Sequence, residues 1–464
     1  MTIMWNVDLV KVMNDGTTAI VGFTKIGTYV QNAPQELFYL TSPNLFSEPN
    51  ASKISWGLVP NGEHGVLPPG GNPTVFEEAH ILPLAAGGYW TVGRTSQGYL
   101  GAAQTADPTA GAGWSATGFA TYYDPLRAPS VIVPMGGRAM PATTSAAAKH
   151  GTGLKSPRGP LQPKRFTNGM YLLLYYNNMG RSGEGRNPYW LSAGLEPSDA
   201  GGEILWSQPE IALFDRYHSA PEAGGYPDFL EFKNGTIAIM ETNKKICRLH
   251  AIDPAALYGL WSQHNTSRAA AVPACTFSGK SGSSVAMPLL DTFVTVHRAQ
   301  QGFSIELSLL DHASARPGDL LFDARDGTSG RGVALTVPAN GGGLELSLSS
   351  ELYGQTALTN EVYAMDPACA KLLLEPGQHH VTVIADVGPL VILFLVDSQL
   401  CDGGGLTSQG WAFTKQFVDL SGATKEAKVA PCYGGKLTHG SLFSRALRVS
   451  EAVASHRALS ERGI

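Results

Sequence analysis

The hydrophobic and polar positions in the first half of the chain repeat one short unit. Four segments alternate apolar and polar residues, turn at a glycine and alternate again: DLVKVMNDGTTAIVGF, ILPLAAGGYWTVGRT, RFTNGMYLLLYYNN and DFLEFKNGTIAIMET. Alternation with a period of two predicts strands, and a central Asn-Gly, Asp-Gly or Gly-Gly pair predicts a tight hairpin turn. The spacing of the turn glycines Gly16, Gly88, Gly169 and Gly235 suits four-stranded sheets with long loops.

The rest of this half fits the same repeated architecture. Further strands are predicted at LFYLTS, GYLGAAQ, NPYWLSAGL and RLHAID. Residues 128–156 are rich in Ala, Ser, Thr and Gly, and their latter part predicts a flexible insertion. The stretch WSQHNTSRAAAVPAC predicts a linker. We therefore expect residues 1–285 to form a β-propeller, either six-bladed or an incomplete or five-bladed version of one.

Residues 286–464 show a different pattern, in which strand follows strand: GFSIELSLLD, GDLLFDARDG, GVALTVPANGGGLELSLSS and HHVTVIADVGPLVILFLVDSQLCDGG. The closing GGKLTHGSLFSRALRVSEAVASHRAL is the one convincing amphipathic helical stretch. This half resembles a laminin-G or concanavalin-A-like domain in its HHV at 379–381, its VD at 396–397 and its closing LFSRALRVSEA. The resemblance implies a β-sandwich of the jelly-roll type, so the whole chain is expected to be all-β.

The composition agrees with a β-rich protein and excludes some functions. Gly 54 and Pro 30 are both high, and charged residues make up only 15% of the chain, against about 25% in typical globular domains. The formal net charge of −5 argues against nucleic acid as a partner. No run of about 18 apolar residues occurs, so no membrane span is predicted. The oligomeric state stays open.

The N-terminal sequence MTIMWNVDLVKVMNDG has no basic segment followed by an apolar one, so it is not predicted to be a signal peptide. The compartment therefore stays open: extracellular if a signal peptide precedes this sequence, and cytoplasmic otherwise. No CxxC pair appears, which argues against a zinc site. One disulfide among Cys369, Cys401 and Cys432 is expected if the protein is secreted. No cofactor is expected, and a structural calcium ion stays an open alternative.

Two segments between the hairpins, TADPTAGAGWSAT and GLEPSDAGGEILWSQP, place an acidic turn with glycine before a tryptophan, Trp114 or Trp206. They resemble degenerate copies of the Asp box, the turn motif of sialidase-type propellers. The resemblance implies that each tryptophan packs between two sheets. Their role is then structural rather than catalytic.

Three further motifs make the first half similar to the sialidase superfamily. A Glu followed sixteen residues later by an Arg across a hairpin is matched by Glu78 and Arg94. A second Arg, which opens a blade that ends in the Asp-box tryptophan, is matched by Arg186 in RNPYWLSAG. The nucleophilic Tyr of the family opens a hairpin of the form Tyr-x-x-Leu. Tyr226 in YPDFLEFKNGTIAIME matches it, with Phe229 at the Leu position.

The resemblance implies that Tyr226 is the nucleophile, that Glu78 is its base, and that Arg94 and Arg186 hold the carboxylate of an anionic sugar. Arginine suits this role because its planar guanidinium binds a carboxylate through two parallel hydrogen bonds. A phenol avoids the repulsion that a carboxylate nucleophile would meet from an anionic substrate. Because the ordinary pKa of a phenol is about 10, it needs an adjacent base.

Two elements of the family pattern are absent, namely an arginine motif near the start and the aspartate that serves as acid and base. The candidates for a replacement acid are His80, Glu77, Asp124 and Asp228. His80 lies two residues from Glu78, so in a regular strand both side chains point to one side. The predicted substrate-binding set is completed by Arg158, Glu77 and Asn187.

The expected function is that of a sialidase-like exo-acting glycoside hydrolase on an anionic sugar at a glycan end. Two alternatives stay open. One is a propeller polysaccharide lyase acting on uronic-acid glycans, in which Tyr226 or His80 moves the proton. The other is a non-catalytic carbohydrate-binding protein, which the absent motifs would favour.

Overall fold

Two compact units make up the chain, residues 1–264 (unit 1) and residues 265–464 (unit 2). Both are built almost entirely of β-strands. Within the described residues, no helix combines the length and the apolar character that crossing a membrane requires. A computed structural model describes residues 3–26, 35–62, 64–67, 75–109, 113–115, 118–123, 131–132, 140–141, 150–180, 185–196, 204–215, 225–242, 246–264, 270–279, 281–287, 302–351, 358–404, 407–414, 417–418, 420 and 423–461.

The strands of unit 1 are short and closely spaced. In chain order, unit 1 contains β1 (Ile3–Trp5), β2 (Lys11–Val12), β3 (Ala19–Ile26), β4 (Glu36–Ser42), β5 (Gly57–Val59), β6 (Phe76–Pro83), β7 (Tyr89–Thr95), β8 (Leu100–Thr105), β9 (Gly118–Phe119), β10 (Thr121–Tyr123), β11 (Val131–Ile132), β12 (Met140–Pro141), β13 (His150–Gly153), β14 (Gln162–Arg165), β15 (Tyr171–Tyr175), β16 (Tyr189–Leu195), β17 (Leu205–Trp206), β18 (Glu210–Leu213), β19 (Asp228–Glu231), β20 (Ile237–Thr242), β21 (Cys247–Ala251) and helix α1 (Pro254–Ser262).

Four main sheets organise unit 1. Sheet I has the order β1-β3-β4-β5 with β2 beside β3, and sheet II the order β6-β7-β8-β9. Sheet III has the order β13-β10-β17-β16-β15-β14 with β18 beside β16, and sheet IV the order β19-β20-β21. The strands β11 and β12 pair with each other.

The four predicted hairpins are confirmed as the antiparallel pairs β2–β3, β6–β7, β14–β15 and β19–β20. Their turn glycines all adopt positive φ, from 77° to 84°. Residues with a Cβ pay a steric penalty in that region, which is why glycine marks these turns.

Neighbouring sheets of unit 1 share cores. Sheets I and II enclose one apolar cluster, and sheets III and IV enclose another together with α1. Trp206 of sheet III lies against Trp90 of sheet II, with ring centroids 5.6 Å apart. Trp114 stacks on Tyr39 of sheet I at 5.1 Å. Both tryptophans thus pack between sheets, as the sequence predicted. None of the sheets in the described part closes into a barrel, and the propeller with its blade number stays a prediction.

Unit 2 is a two-layered β-structure with two helices. In chain order it contains β22 (Cys275–Ser278), β23 (Ser283–Ala286), β24 (Phe303–Leu310), β25 (Leu320–Asp323), β26 (Val333–Thr336), β27 (Glu345–Glu351), β28 (Leu358–Ala364), α2 (Pro367–Leu373), β29 (Gln378–Asp386), β30 (Val391–Val396), β31 (Gln399–Leu400), β32 (Ala412–Phe413), β33 (Phe417–Val418), β34 (Glu426–Cys432), β35 (Lys436–Phe443) and α3 (Val449–Glu461).

Two seven-stranded sheets share one core in unit 2. The first has the order β22-β35-β24-β29-β30-β31 with β32 beside β30, and the second β23-β34-β25-β26-β27-β28 with β33 beside β27. Ile305 and Val383 of the first sheet and Leu335 and Val429 of the second belong to the same buried cluster. Two sheets around one core fit the expected sandwich, and the jelly-roll topology stays a prediction.

The domain boundary lies earlier than the predicted division at residues 285 and 286. The reason is strand pairing: β22 pairs with β35 and β23 pairs with β34, so residues 275–286 belong to the sheets of unit 2. Of the predicted insertion at 128–156, the segments 128–130, 133–139 and 142–149 lie outside the described residues.

The helices differ from the prediction. The first part of the stretch predicted as helical is the strand β35, which pairs with both β22 and β24, and α3 begins only at Val449. The two short helices α1 and α2 were not predicted. Each begins at an Asp-Pro pair whose aspartate caps the first turn, Asp253 for α1 and Asp366 for α2. That pair is a recognisable helix-start signal.

A disulfide joins Cys369 and Cys401, two of the three cysteines expected to provide one. The same cysteines and Asp366 form the one group in the described part of the chain with the spacing of metal ligands. Because both sulfurs are bonded to each other, this group does not offer two thiolates to a metal. The structural calcium ion stays an open alternative.

Candidate active site

A β-bulge in sheet II creates the centre of the site. Glu77 pairs with Arg94 across the β6–β7 hairpin, but His80 pairs with Val92, so β6 carries one extra residue between these points. Glu78 lies in this bulge with φ at +48°. An extra residue breaks the alternation of a strand. As a result, the two successive carboxylates Glu77 and Glu78 both reach Arg94.

Glu78 joins residues that lie far apart in sequence. The hydroxyl of Tyr226, just before β19, donates a hydrogen bond of 2.7 Å to Oε1 of Glu78. Nη2 of Arg94 lies 2.8 Å from the same oxygen. The backbone N–H of Glu78 donates to Oγ1 of Thr24 in β3 at 3.2 Å. The Glu78 side chain is buried, with 1% exposure, so these donors replace the hydrogen bonds to water that burial removes.

Glu77 holds two arginines through one oxygen. Its Oε1 accepts from Nε of Arg94 at 3.0 Å and from Nε of Arg158 at 2.6 Å. Nη1 of Arg94 in turn donates to the backbone carbonyl of Arg158 at 3.2 Å. Arg158 has a positive φ of 57° and a side chain 31% exposed. Successive contacts thus connect basic and acidic groups in alternation: Arg158 to Glu77, Glu77 to Arg94, and Arg94 to Glu78, which accepts from Tyr226.

The surroundings of Tyr226 keep its phenol protonated. Burial raises its pKa above the ordinary value, and the charge and hydrogen bond of Glu78 raise it further. The nearby charges of Arg94 and Arg186 oppose this increase in pKa. The segment that leads into Tyr226 is fixed from sheet III, because the hydroxyl of Tyr189 donates to the carbonyl of Gly225 at 2.6 Å.

Arg186 lies just before β16, on the sheet III side of the site, and is half-buried. Its charge lowers the pKa of Tyr226 and also opposes the rise in the pKa of Tyr176 and Tyr189, so the guanidinium lies near all three phenols. Tyr176 and Tyr189 stack on each other, with ring centroids 4.5 Å apart. Direct contacts thus bring together Glu78, Arg94 and Tyr226, and Arg186 is related to them through its effect on the pKa of Tyr226.

His80 does not lie beside Glu78 as the regular alternation of a strand implied. Its Nδ1 is 3.1 Å from Oδ1 of Asp8, and its side chain is 1% exposed. Asp8 also contacts the ammonium of Lys11 and accepts the N–H groups of Gly22 and Ile81. The bulge is the reason for the difference, because it shifts His80 relative to Glu78. This placement gives His80 a structural partner in the loop between β1 and β2.

The other predicted residues have separate contacts. The side-chain amide of Asn187 donates to the carbonyl of Asp215 at 2.8 Å and accepts its N–H at 2.8 Å, so it fixes the loop after β18. Asp228 accepts the N–H of its neighbour Phe229 at 2.7 Å. Asp124 lies outside the described residues. These contacts bring neither Asn187 nor Asp228 to the Glu78 carboxylate.

Sequence reasoning missed Thr24, Asp8 and the stacked tyrosines Tyr176 and Tyr189. Asp8 opens the first hairpin segment and Thr24 directly follows it, and both reach β6 only because sheets I and II pack together. No local motif marks them. Glu241, the last residue of the Tyr226 motif, accepts from Nη1 of Arg248 at 3.2 Å across the β20–β21 pair.

No protein-family model and no curated protein matches the chain. Sialidases and a carbohydrate-binding module are among the solved structures that are similar to it. Trypanosoma rangeli sialidase in complex with sialic acid is 12% identical, with 97% of this chain and 83% of that chain covered and a TM-score of 0.28. The Ruminococcus gnavus IT-sialidase CBM40 is 14% identical, with 40% and 100% covered and a TM-score of 0.29.

The intramolecular trans-sialidase from Ruminococcus gnavus in complex with oseltamivir carboxylate is 17% identical, with 53% of this chain and 43% of that chain covered and a TM-score of 0.32. TM-scores this low describe a distant likeness. They do not assign the chain to a family or a role to any of its residues.

Proposed function

We propose that unit 1 is a sialidase-like glycoside hydrolase that acts on an anionic sugar at the end of a glycan. The observation that carries this proposal is the 2.7 Å hydrogen bond from Tyr226 to Glu78 inside a cluster of arginines. A phenol bonded to a buried carboxylate is a nucleophile paired with its base. Sheets I to IV follow one another along the chain, as the blades of a propeller do. A propeller is the scaffold that the sialidase resemblance implies.

The charges of the cluster favour an anionic substrate. Arg94, Arg158 and Arg186 bring three positive charges, against two negative charges from Glu77 and Glu78 when these are ionised. The excess of one positive charge matches one carboxylate on the sugar. Arginine is the side chain best suited to hold that group, because its donors form a planar fork.

In the proposed reaction, the Tyr226 oxygen bonds to the anomeric carbon while the bond from that carbon to the leaving oxygen breaks. The phenolic proton passes to Glu78, and the leaving oxygen takes a proton from water. Water then attacks the anomeric carbon of the tyrosyl intermediate and gives a proton to the phenolic oxygen. The hydroxide left by the first step removes the proton from Glu78, which restores the site.

Because burial and Glu78 raise the pKa of Tyr226, the phenol is neutral at neutral pH. It therefore attacks only as its proton leaves, and a base within hydrogen-bond distance is needed. This requirement explains why Glu78 is buried against Tyr226 rather than exposed.

The test is turnover of 4-methylumbelliferyl glycosides of N-acetylneuraminic, glucuronic and iduronic acids by the full chain. We expect release of the fluorophore from an acidic sugar, and a loss of at least about a hundredfold in kcat for Tyr226→Phe. Arg165→Ala, which removes an exposed arginine at the end of β14, is the matched control and should keep full activity.

Turnover that survives Tyr226→Phe unchanged would exclude the phenol as nucleophile. Products of uronic-acid polymers that absorb in the ultraviolet through a new double bond would indicate a lyase instead. Glycan affinity without turnover on the whole panel would indicate a binding protein.

A further inference from the structure

The disulfide of unit 2 has a buried carboxylate beside it that uses only one of its oxygens. Asp366 caps helix α2, and its Oδ1 accepts the backbone N–H groups of Ala368 at 2.8 Å and of Cys369 at 3.1 Å. Its Oδ2 is buried and has no hydrogen-bond partner among the described residues, and the whole residue is only 6% exposed. A buried carboxylate oxygen costs free energy unless a donor or a cation reaches it.

Two sulfurs lie next to this carboxylate. One oxygen of Asp366 and the Sγ atoms of Cys369 and Cys401 all lie within 4.8 Å of one another, and all three residues are buried. In a tetrahedral zinc site with Zn–S bonds of about 2.3 Å, two sulfur ligands lie about 3.8 Å apart. The Cα atoms of the two cysteines are 5.7 Å apart, so rotation of the side chains brings the sulfurs from the disulfide to that separation.

We propose that, when the disulfide is reduced, the thiolates of Cys369 and Cys401 and the carboxylate of Asp366 bind one zinc ion, with water in the fourth position. This site is independent of the proposed function of unit 1. It departs from the expectation based on the absence of a CxxC pair, because the fold brings together cysteines with a sequence separation of 32. Thiolate ligands favour zinc over calcium and magnesium, which bind oxygen ligands.

The change between the two states balances with one reductant. A dithiol supplies two electrons and two protons: the S–S bond breaks, Cys369 and Cys401 become thiols, and the dithiol becomes a disulfide. Zinc then displaces one proton from each thiol and forms two Zn–S bonds, so two protons pass to the solvent. Burial raises the pKa of Asp366, and a bound cation stabilises its charged form.

The metal would keep the link that the disulfide makes in the fold. Cys369 lies in α2, and Cys401 directly follows β31 of the first sheet of unit 2. The segment after Cys401 packs closely on the same helix, since a Cβ added at Gly404 would lie 2.5 Å from the Cβ of Ala368. The disulfide holds α2 to this sheet in an oxidising compartment, and zinc holds it in a reducing one. Unit 2 is then cross-linked in either compartment.

The test uses the full chain, produced in a reducing bacterial cytoplasm and kept in a phosphine reductant, because a dithiol would itself bind zinc. Bound metal is removed with EDTA, and zinc is then titrated in competition with a chromophoric chelator. We expect one zinc ion per chain with a Kd below about 1 μM. The chain oxidised to its disulfide should bind zinc at least about a hundredfold more weakly, because it has no thiolates to offer.

Variants identify the ligands. Cys369→Ser removes a ligand and should weaken Kd at least about a hundredfold, more than the loss of an outer-sphere partner does. Asp366→Asn should weaken Kd at least about tenfold, and it keeps the helix cap because the Asn oxygen caps as well as that of Asp. The controls are Asp253→Asn, which makes the same change at the cap of α1, and Cys432→Ser, which removes an exposed free thiol. Both should leave Kd unchanged.

Two readouts other than affinity report the same site. Cobalt added in place of zinc should give sulfur-to-cobalt charge-transfer absorption in the near ultraviolet, and Cys369→Ser should weaken this absorption. Zinc at about a hundredfold above Kd should raise the Tm of the reduced chain by at least about 3 °C. The same zinc concentration should leave the Tm of the oxidised chain unchanged.

Thiols counted after unfolding give the redox state of each sample. The oxidised chain should show only the free thiols of Cys247, Cys275 and Cys432, and the reduced chain all 5 cysteines. A count that stays at the oxidised value under the reductant overturns the proposal, because the disulfide then does not open in the folded chain. A reduced chain that binds no zinc also overturns it. So does a Kd that Cys369→Ser or Asp366→Asn leaves unchanged, because the metal then lies elsewhere.

Discussion

Nη2 of Arg94 lies 2.8 Å from Oε1 of Glu78, the same oxygen that accepts the hydrogen bond from the Tyr226 hydroxyl. One carboxylate oxygen thus binds a cation on one side and a phenol on the other. The two donors hold the buried carboxylate in place from opposite sides. This shared oxygen is the physical basis of the first prediction.

Glu78→Gln should keep the shape of the site and remove its base. The amide can still accept the Tyr226 hydrogen bond through its oxygen, but it does not take the proton at neutral pH. We expect kcat to fall by about 10² to 10⁴-fold, measured with the acidic fluorogenic glycoside that the unaltered protein cleaves. Glu375→Gln, an exposed position in unit 2, is the control. A fall of less than threefold would contradict the role of Glu78 as base.

Glu77→Ala should destabilise the protein much more than Arg158→Ala. Removing Glu77 leaves the nearly buried Arg94 without its main acceptor, and breaking a buried pair costs about 3–5 kcal/mol. The Arg158 side chain is 31% exposed and can turn to water, so its loss should cost about 1 kcal/mol or less. Urea unfolding measures both free energies of unfolding. Equal losses in the free energy of unfolding would show that the Arg94–Glu77 contact stabilises the fold no more than the Arg158–Glu77 contact does.

Glu306 in unit 2 should make stability depend on pH. Burial raises its pKa from 4.5 to about 8, a hydrogen bond from Ser455 lowers it, and the charge of Glu451 adds to the rise. The folded chain therefore keeps a proton that the unfolded chain releases between these pH values. The stability that this proton provides is complete below pH 4.5 and is lost as the pH rises to about 8.

The measurement is the free energy of unfolding at several pH values between 5 and 8.5. The unaltered protein should lose on the order of 2–4 kcal/mol more over this range than Glu306→Gln, which has no proton to release. Glu375→Gln should follow the unaltered protein. A Glu306→Gln profile that runs parallel to that of the unaltered protein would contradict the raised pKa.

The disulfide between Cys369 and Cys401 closes a loop with a sequence separation of 32. Replacing both cysteines by serine should lower the free energy of unfolding by about 3–4 kcal/mol, because the unfolded chain regains the freedom that the link removes. Denaturant unfolding checks this value, and Cys432→Ser, which alters an exposed free thiol, is the control. A change of less than 1 kcal/mol in the double variant would mean that the link contributes little to stability.

Much of the fold could be predicted because strand patterns are local. The four hairpins follow from alternation and from glycines at positive φ, and both depend on neighbours in sequence. The helix at the C-terminus was placed too early, because β35 takes its structure from pairing with β22 and β24 rather than from its own sequence. The Asp-Pro starts of α1 and α2 are local signals of a helix beginning.

The resemblance to the sialidase superfamily selected Glu78, Arg94, Arg186 and Tyr226, and the structure joins Glu78, Arg94 and Tyr226 by direct contacts. The roles that the resemblance implies for them stay predictions. His80 was placed beside Glu78 because regular alternation demands it, and the bulge removes that regularity. A bulge is a property of two paired strands, so β6 by itself does not reveal it.

The sequence by itself determined an all-β chain with glycine-turn hairpins, a change of pattern between its two halves, and a set of acidic, basic and phenolic residues suited to an anionic sugar. Only the tertiary structure decided that Glu77 and Glu78 share Arg94, that Asp8 contacts His80, and that Nε of Arg186 is buried without a hydrogen-bond partner among the described residues. The physical reason is that side-chain type and strand period depend on neighbouring residues in the sequence. The hydrogen-bond partners of each side chain depend instead on which strands pack together.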